Sequence, residues 1–202
     1  MKQNMSRLFV FALTLSLIIS FQPAQAQPVY AISPDIVISQ VYGGGGNTGA
    51  QYQNDFVELY NRGTIAIDVT GWSIQYASAA GSSWQRTILS GVIGTGKYYL
   101  IQEAVGTSCG GSPCGIVLPP SNATGTIPMS LSAGKVALVN NSTTLTGTCP
   151  TGTVDFVGFG TTANCYEGAP MANLSNTTAA LRNSNGATDT DNNKNDCNYS
   201  AR

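Results

Sequence analysis

The feature that most constrains the fold is a succession of short β-type segments, each of which ends at Gly or Asn or is followed by one of them within four residues. Segments of this kind are typical of antiparallel β-sandwiches, and no stretch shows the sustained 3.6-residue apolar period of a long helix. The predicted strands cover the ranges 35–42, 54–61, 71–77, 84–89, 97–103, 135–140, 153–160 and, more weakly, 179–182. Strands of this length and spacing predict an all-β antiparallel sandwich in a single domain.

The N-terminus has the pattern of a secretory signal peptide. Lys2 and Arg7 precede an apolar stretch over 8–21, and Ala24 and Ala26 form a small-x-small cleavage site. The apolar stretch is shorter than the roughly 20 residues that a membrane-spanning helix needs. The expected division of the chain is a signal peptide over 1–26, an extended leader over 27–34, a sandwich over 35–183 and a loosely attached polar tail over 184–202. We expect the mature protein to be secreted and to lack a transmembrane segment.

Alternation along the second predicted strand assigns its side chains to two faces. Val57 and Leu59 share one face, and Phe56, Glu58 and Tyr60 share the other. Both faces are partly apolar, as expected for an inner strand whose second side is only partly exposed to water.

The third predicted strand carries Trp72, Ile74 and Tyr76 on one face. Because Trp72 alternates in phase with Ile74, we expect Trp72 to be deeply buried in the core, in preference to stacking on a ligand.

An ordered set of segments resembles a known family. In chain order they are Gly43-Gly44-Gly45-Gly46-Asn47, Asn54-Asp55-Phe56-Val57-Glu58-Leu59-Tyr60-Asn61, Gly71-Trp72-Ser73-Ile74, Ala133-Gly134-Lys135-Val136-Ala137-Leu138-Val139, Val154-Asp155-Phe156-Val157-Gly158-Phe159-Gly160 and Asp189-Thr190-Asp191-Asn192-Asn193. The set is similar to the lamin tail domain, and more narrowly to its exported bacterial branch, in which a Gly-rich loop follows the first strand. The similarity spans roughly 35–196.

The resemblance implies an immunoglobulin-like β-sandwich, in agreement with the strand pattern. It does not imply one function. Nuclear lamins use the domain for protein contacts, and bacterial members occur alone or beside secreted nucleases and phosphoesterases, whose neighbouring domain carries the catalysis.

The chain contains no histidine, which excludes a Ser-His-Asp triad, a Cys-His pair and a His-ligated metal centre. Charged residues make up 9% of the chain and the net charge is −1, so the sequence predicts no basic face for nucleic acid and no polybasic stripe for a membrane.

Catalysis by carboxylates alone is left open by the composition. Asp55 and Glu58 lie three apart in a strand and are expected to face opposite sides. The remaining candidates, Asp68, Glu103, Asp155 and Glu167, are scattered singly among different segments. Only the fold itself could bring two of them together.

The cysteines predict structural disulfides. Cys109 and Cys114 flank a turn, whereas Cys149 and Cys165 lie at the two ends of an apolar segment. Cys197 is the natural unpaired residue. The chain contains no C-x-x-C motif, and nothing in the sequence points to an activated thiol.

The Gly-rich loop and its neighbours are the candidate recognition surface. The residues concerned are Tyr42, Gly43, Gly44, Gly45, Gly46, Asn47 and Tyr52. A phosphate-binding loop is disfavoured, because another strand follows the glycines where such a loop needs a helix N-terminus. The alternative is a flexible strand connection that can contribute to binding.

Asp189, Asp191 and Asn193 carry oxygen atoms at alternate positions, as calcium loops do. Lys194 stands where an EF-hand loop has Gly, so that form is excluded. The remaining hypotheses are a looser Ca²⁺ site and a solvated run of turn formers. No other cofactor is expected.

The functional hypothesis is a secreted, non-catalytic binding or anchoring module of lamin-tail type, whose partner is a protein or a surface polymer. The rival hypothesis is a secreted hydrolase (a nuclease, phosphoesterase or glycosidase) or the non-catalytic front part of one.

Overall fold

A computed structural model describes Ser33 and residues 35–200. Its strands are β1 (Ile36–Tyr42), β2 (Asn54–Asn61), β3 (Ile67–Asp68), β4 (Ser73–Ser78), β5 (Gln85–Ile88), β6 (Val92–Ile93), β7 (Tyr98–Val105), β8 (Ala123–Thr124), β9 (Gly134–Val139), β10 (Asp155–Phe159), β11 (Ala179–Arg182) and β12 (Cys197–Ser200). Two single helical turns, α1 (Asn183–Gly186) and α2 (Asn193–Asp196), lie between β11 and β12. Each predicted strand range overlaps an observed strand. The predicted signal peptide lies outside the described residues, as does the leader apart from Ser33.

The strands form two main sheets and a small two-stranded one. The larger sheet has the order β12-β11-β1-β2-β7-β8, the second has the order β10-β9-β4-β5, and β3 pairs with β6. All pairings are antiparallel except that of β7 with β8. The predicted antiparallel immunoglobulin-like sandwich is therefore confirmed.

The core lies between the two main sheets. Val57 and Leu59 of β2 contact a cluster that also holds Ile74 of β4, Leu138 of β9 and Phe159 of β10. The predicted shared face of Val57 and Leu59 is therefore confirmed, and it faces the core. Burying apolar side chains of this size stabilises the fold by roughly 1.5–3 kcal/mol each.

Trp72 is less deeply buried than the sequence predicts. Trp72 is only partly buried and packs against the edge of the core, because β4 begins one residue later, at Ser73. The deeply buried tryptophan is Trp84, which packs against Phe156 on the other side of the second sheet and donates a hydrogen bond to the Gly147 carbonyl at 2.9 Å.

The C-terminal segment differs from the loosely attached tail that its polar composition predicts. β12 pairs with β11 over four positions, from Ala179↔Ser200 to Arg182↔Cys197. Asn193 and Asp196 of α2 are buried as well. The segment therefore completes the larger sheet, because its polar side chains find buried partners.

Both predicted disulfides are present, Cys109–Cys114 and Cys149–Cys165, with Cα–Cα distances of 5.4 and 5.2 Å. Cys197 is free, as expected, and it is also buried. Among the described residues, no helix is long and apolar enough to span a membrane.

Candidate functional site

The Gly-rich loop is buried, in contrast to the flexible connection that its composition predicts. A side chain at Gly45 would collide with the backbone of Asn54, and one at Gly46 would collide with Gly106. Gly46 also has a φ of +65°, which favours glycine. The loop is therefore a packed crossing of three backbone segments.

Tyr42 and Tyr52, the aromatic residues of the predicted recognition surface, pack mainly against each other and against Phe56. Tyr42 is fully buried, its ring stacks on Phe56 with centroids 5.4 Å apart, and its hydroxyl accepts a hydrogen bond from Gln51 N at 3.0 Å. The ring of Tyr52 meets those of Tyr42 and Phe56 edge-on. Asn47 donates from Nδ2 to Asn176 Oδ1 at 3.2 Å. Tyr42 is therefore buried among aromatic side chains, and the recognition role of this loop stays a prediction.

A first cavity of about 160 Å³, here called the glycine-loop cavity, opens beside this loop. It is lined by Gly43, Gly45, Asn47, Asp55, Ala104, Val105, Gly106, Pro128 and Met129. The Asp55 carboxylate accepts hydrogen bonds from Gly45 N at 2.9 Å and Met129 N at 2.8 Å. Burial raises the pKa of Asp55 to about 6, although these two donors oppose the shift. Asp55 therefore ties the loop to the 128–130 segment.

A second cavity of about 130 Å³, the outer-face cavity, lies on the side of the larger sheet that faces away from the core. It is lined by Gln40, Tyr52, Phe56, Glu58, Leu100, Leu118 and Pro119. Gln40 and Leu100 are both register partners of Glu58, on the two neighbouring strands. The face that Phe56 and Glu58 share thus becomes the floor of a cavity.

The rim of the outer-face cavity is an apolar segment, residues 115–120. Ile116 and Val117 are 63% and 70% exposed, whereas Leu118 is buried against the sheet. Ile116 N donates to the Gln51 carbonyl and its own carbonyl accepts from Gln53 N, both at 2.9 Å. The Cys109–Cys114 disulfide closes the loop just before it. The exposed apolar side chains are therefore held in place by their backbone.

A buried ionic cluster joins the C-terminal segment to the sandwich. The Arg182 guanidinium lies 2.9 Å from Asp155, 3.2 Å from Asp189 and 3.5 Å from Asp196. All four side chains are at most 1% exposed. Although burial opposes the charge, Asp155 and its neighbours raise the pKa of Arg182, so this side chain stays cationic.

Glu167 completes the cluster through Asn193. Asn193 Oδ1 accepts from Gly158 N and Glu167 N, and its Nδ2 donates to the Phe156 carbonyl and to Glu167 Oε2, at distances of 2.8–3.0 Å. Burial, with Asp155 nearby, raises the pKa of Glu167 to about 9. Glu167 is therefore neutral at pH 7.

The carboxyl groups of Asp155, Glu167 and Asp189 each bring an oxygen within 4.8 Å of the others, a convergence that the sequence did not reveal. The Arg182 guanidinium supplies the positive charge there. Of the predicted calcium ligands, Asn193 has all four hydrogen-bonding positions engaged by protein atoms, and Asp189 is bonded to Arg182 and Ser33 N. This geometry favours a structural role over calcium ligation.

The family follows from a comparison with protein-family profiles. The Lamin Tail Domain profile matches residues 31–194, most of the chain. The chain belongs to the lamin tail domain family. No curated protein matches it.

In this lamin tail domain, sequence reasoning missed two sets of residues. Arg182 carried a signal, since it is the single charged residue in an otherwise apolar strand that precedes an acid-rich segment. No sequence signal indicated the pairing of Gln40 with Glu58, because this pairing depends on a register shift in β1 between Ile38 and Gln40.

Proposed function

We propose that the protein is an exported, non-catalytic module of lamin-tail type that attaches to an extracellular polymer through the outer face of its larger sheet. The observation that carries the proposal is the exposure of Ile116 and Val117 beside the outer-face cavity. Apolar side chains grouped beside a cavity mark interaction sites on soluble proteins.

The use of the carboxyl groups supports a non-catalytic role. Asp155, Asp189 and Asp196 neutralise Arg182 in the interior, where no substrate reaches them without opening the fold. Asp55 binds two backbone N–H groups, and Glu103 accepts from Ile127 N at 2.9 Å while only 1% exposed. A glycosidase needs two carboxyl groups on either side of an accessible bond.

Export is supported by two features. The 1–26 range has the signal-peptide pattern. The two disulfides are typical of proteins that fold in an oxidising compartment.

Co-sedimentation with insoluble polymers tests the proposal. The mature protein is incubated with peptidoglycan sacculi, chitin and cellulose, and both bound protein and released soluble product are measured. We expect retention on at least one polymer without product. Metal-dependent release of product would establish the rival hydrolase, and the absence of retention on all three polymers would refute attachment to a polymer.

A pair of double variants locates the contact surface. I116S/V117S removes the apolar rim, whereas I65S/V92S removes side chains of nearly equal exposure, 62% and 61%, elsewhere on the molecule. We expect only the first to lose retention, by about tenfold. If I116S/V117S and I65S/V92S were retained equally on the polymer, the apolar rim would not be the contact surface.

A further inference from the structure

We propose that the outer-face cavity binds the acetamido group of an N-acetylated saccharide. This inference rests on the proposed function and deepens it, because it names the chemistry of the polymer that the module recognises.

The side-chain amide of Gln40 is a buried hydrogen-bond donor at the cavity. Gln40 lines the cavity and is 2% exposed, and its Nε2 makes no hydrogen bond to any residue in the described part of the chain. Buried polar groups are nearly always hydrogen-bonded, because an unpaired one lowers the stability of the folded state. Because Nε2 itself has almost no accessible surface, a ligand that brings a carbonyl oxygen receives this hydrogen bond once the Gln40 side chain turns towards the cavity.

The Glu58 carboxylate is a hydrogen-bond acceptor next to the Gln40 amide. Glu58 lies directly opposite Gln40 in the β1–β2 register, so their side chains stand side by side on the same face. The Glu58 carboxylate accepts from Ser39 Oγ at 2.7 Å, and a carboxylate can accept about four hydrogen bonds. A donor and an acceptor side by side match the carbonyl and the N–H of a secondary amide.

The size and polarity of the cavity also fit an acetamido group. Its 130 Å³ is well below the roughly 300–1,000 Å³ of pockets that enclose a drug-sized ligand, so it suits one group of a ligand and not a whole ligand. The remaining walls are mainly apolar and come from Tyr52, Phe56, Leu100, Leu118 and Pro119. An acetamido group has four non-hydrogen atoms and pairs its amide with a methyl, which these walls can cover.

An aromatic pair beside the cavity can contact the sugar ring of the ligand. Tyr60 and Tyr98 form a ring pair with centroids 4.7 Å apart, and Tyr98 is 38% exposed. They follow Glu58 and precede Leu100 on the same face, about 7 Å along the strands. A sugar ring joined to the bound acetamido group reaches this aromatic pair, whose faces suit its C–H surface.

The position of the cavity disfavours an extended peptide. Peptides that read a sheet through their backbone pair with an unpaired strand edge. The cavity lies over β1, β2 and β7, which are paired with one another, so the ligand meets side chains only. With 9% charged residues, the chain also suits an uncharged ligand.

Calorimetric titration with matched oligosaccharides tests the inference. The probes are a β-linked tetramer of N-acetylglucosamine, the corresponding tetramer of glucose, and a peptide that carries N-acetyl-lysine. We expect the N-acetylated tetramer to bind about tenfold or more tightly than the other two, which lack either the acetamido group or the sugar ring.

Two glutamine variants separate recognition from folding. Gln40→Met keeps the length of the side chain and removes the donor, whereas Gln85→Met makes the same change at an exposed position of β5 in the other sheet. We expect Gln40→Met to weaken binding of the N-acetylated tetramer about tenfold without lowering the melting temperature, since no bonded donor is lost. Gln85→Met should bind like the parent protein.

Each other outcome overturns the inference in a distinct way. Equal binding of both tetramers would show that the acetamido group is not read, and tighter binding of the peptide would assign the cavity to a protein partner. Unchanged binding by Gln40→Met would place the ligand elsewhere. Retention on cellulose but not on chitin or sacculi would refute the inference and leave the proposed function standing.

Discussion

Arg182 is 1% exposed, and its guanidinium faces the carboxylates of Asp155, Asp189 and Asp196. If one partner of such a buried ion pair is removed, the remaining charge has neither water nor a counter-ion. We therefore expect Arg182→Met to lower the free energy of unfolding by about 3–5 kcal/mol. Urea unfolding measures this change.

Arg86 provides the matched control for that variant. It is exposed on β5, and its guanidinium donates to Thr144 Oγ1 at 2.8 Å. We expect Arg86→Met to cost less than about 1 kcal/mol. Similar costs for both variants would show that the buried cluster does not hold the fold together.

Glu167 makes stability depend on pH. Its pKa is about 9 in the folded protein, against 4.5 for an ordinary glutamate, so between these values the folded state holds more protons than the unfolded chain. The free energy of unfolding then falls as pH rises, by at most about 1.4 kcal/mol per pH unit. Gln cannot ionise, so the stability of Glu167→Gln relative to the parent should rise steadily from pH 5 to pH 8.

Glu103 gives a second variant with a narrower pH window. Burial raises its pKa only to about 6, so the relative stability of Glu103→Gln should stop rising above about pH 6. Urea unfolding at several pH values compares the two variants. A constant difference between Glu167→Gln and the parent over the whole range would contradict the buried neutral carboxyl.

At the scale of elements, β12 is an integral edge strand. It pairs with β11, and Cys197 at its start contacts the core. Deleting residues 197–202 should therefore lower the free energy of unfolding by more than about 1 kcal/mol. Thermal unfolding followed by circular dichroism measures the loss. An unchanged midpoint would restore the expectation of a loosely attached tail.

The segment around α2 should be insensitive to calcium. Asp189 accepts from Ser33 N at 3.0 Å and pairs with Arg182 and, at 3.5 Å, with Arg62. We expect the same melting temperature in millimolar Ca²⁺ and in chelator, and an equal loss of stability in Asp189→Asn under both conditions. An upward shift with Ca²⁺ that Asp189→Asn abolishes would contradict the structural role.

The sequence predicts the elements well where local patterns determine them. Period-two alternation in β2 places Val57 and Leu59 in the core, and turn residues mark the ends of the strands. Turn and segment positions also favoured the two disulfide pairs, although the sequence alone did not rank the fifteen possible two-bridge schemes.

Contacts between distant segments were not predictable in this way. Arg182 and Asp155 are 27 residues apart and meet only when β11 and β10 are in place. The burial of the Gly-rich loop depends on Gly106 and Ser130, which come from other segments. The candidate site is of the same kind, because a register shift aligns Gln40 with Glu58 and a separate loop supplies Leu118.

At the scale of the whole molecule, the buried ion pairs and the exposed apolar side chains of the 115–120 segment lie in different regions. Buried ion pairs at the C-terminal end close the sandwich, whereas the outer face of the larger sheet carries few charged side chains, a cavity and an apolar rim. The chain as a whole has a net charge of −1. Binding through this face should therefore depend little on salt, because the ligand is held by burial and hydrogen bonds.

The side-chain amide of Gln40 offers the most direct test that the outer face is the binding surface. Its resonance in ¹H–¹⁵N spectra is followed while the N-acetylglucosamine tetramer is added. We expect a downfield shift of the Gln40 amide protons as they gain a carbonyl partner, with further shifts confined to β2, β7 and residues 115–120. An unmoved Gln40 amide, with shifts on the opposite sheet or none, would show that the outer face is not the binding surface.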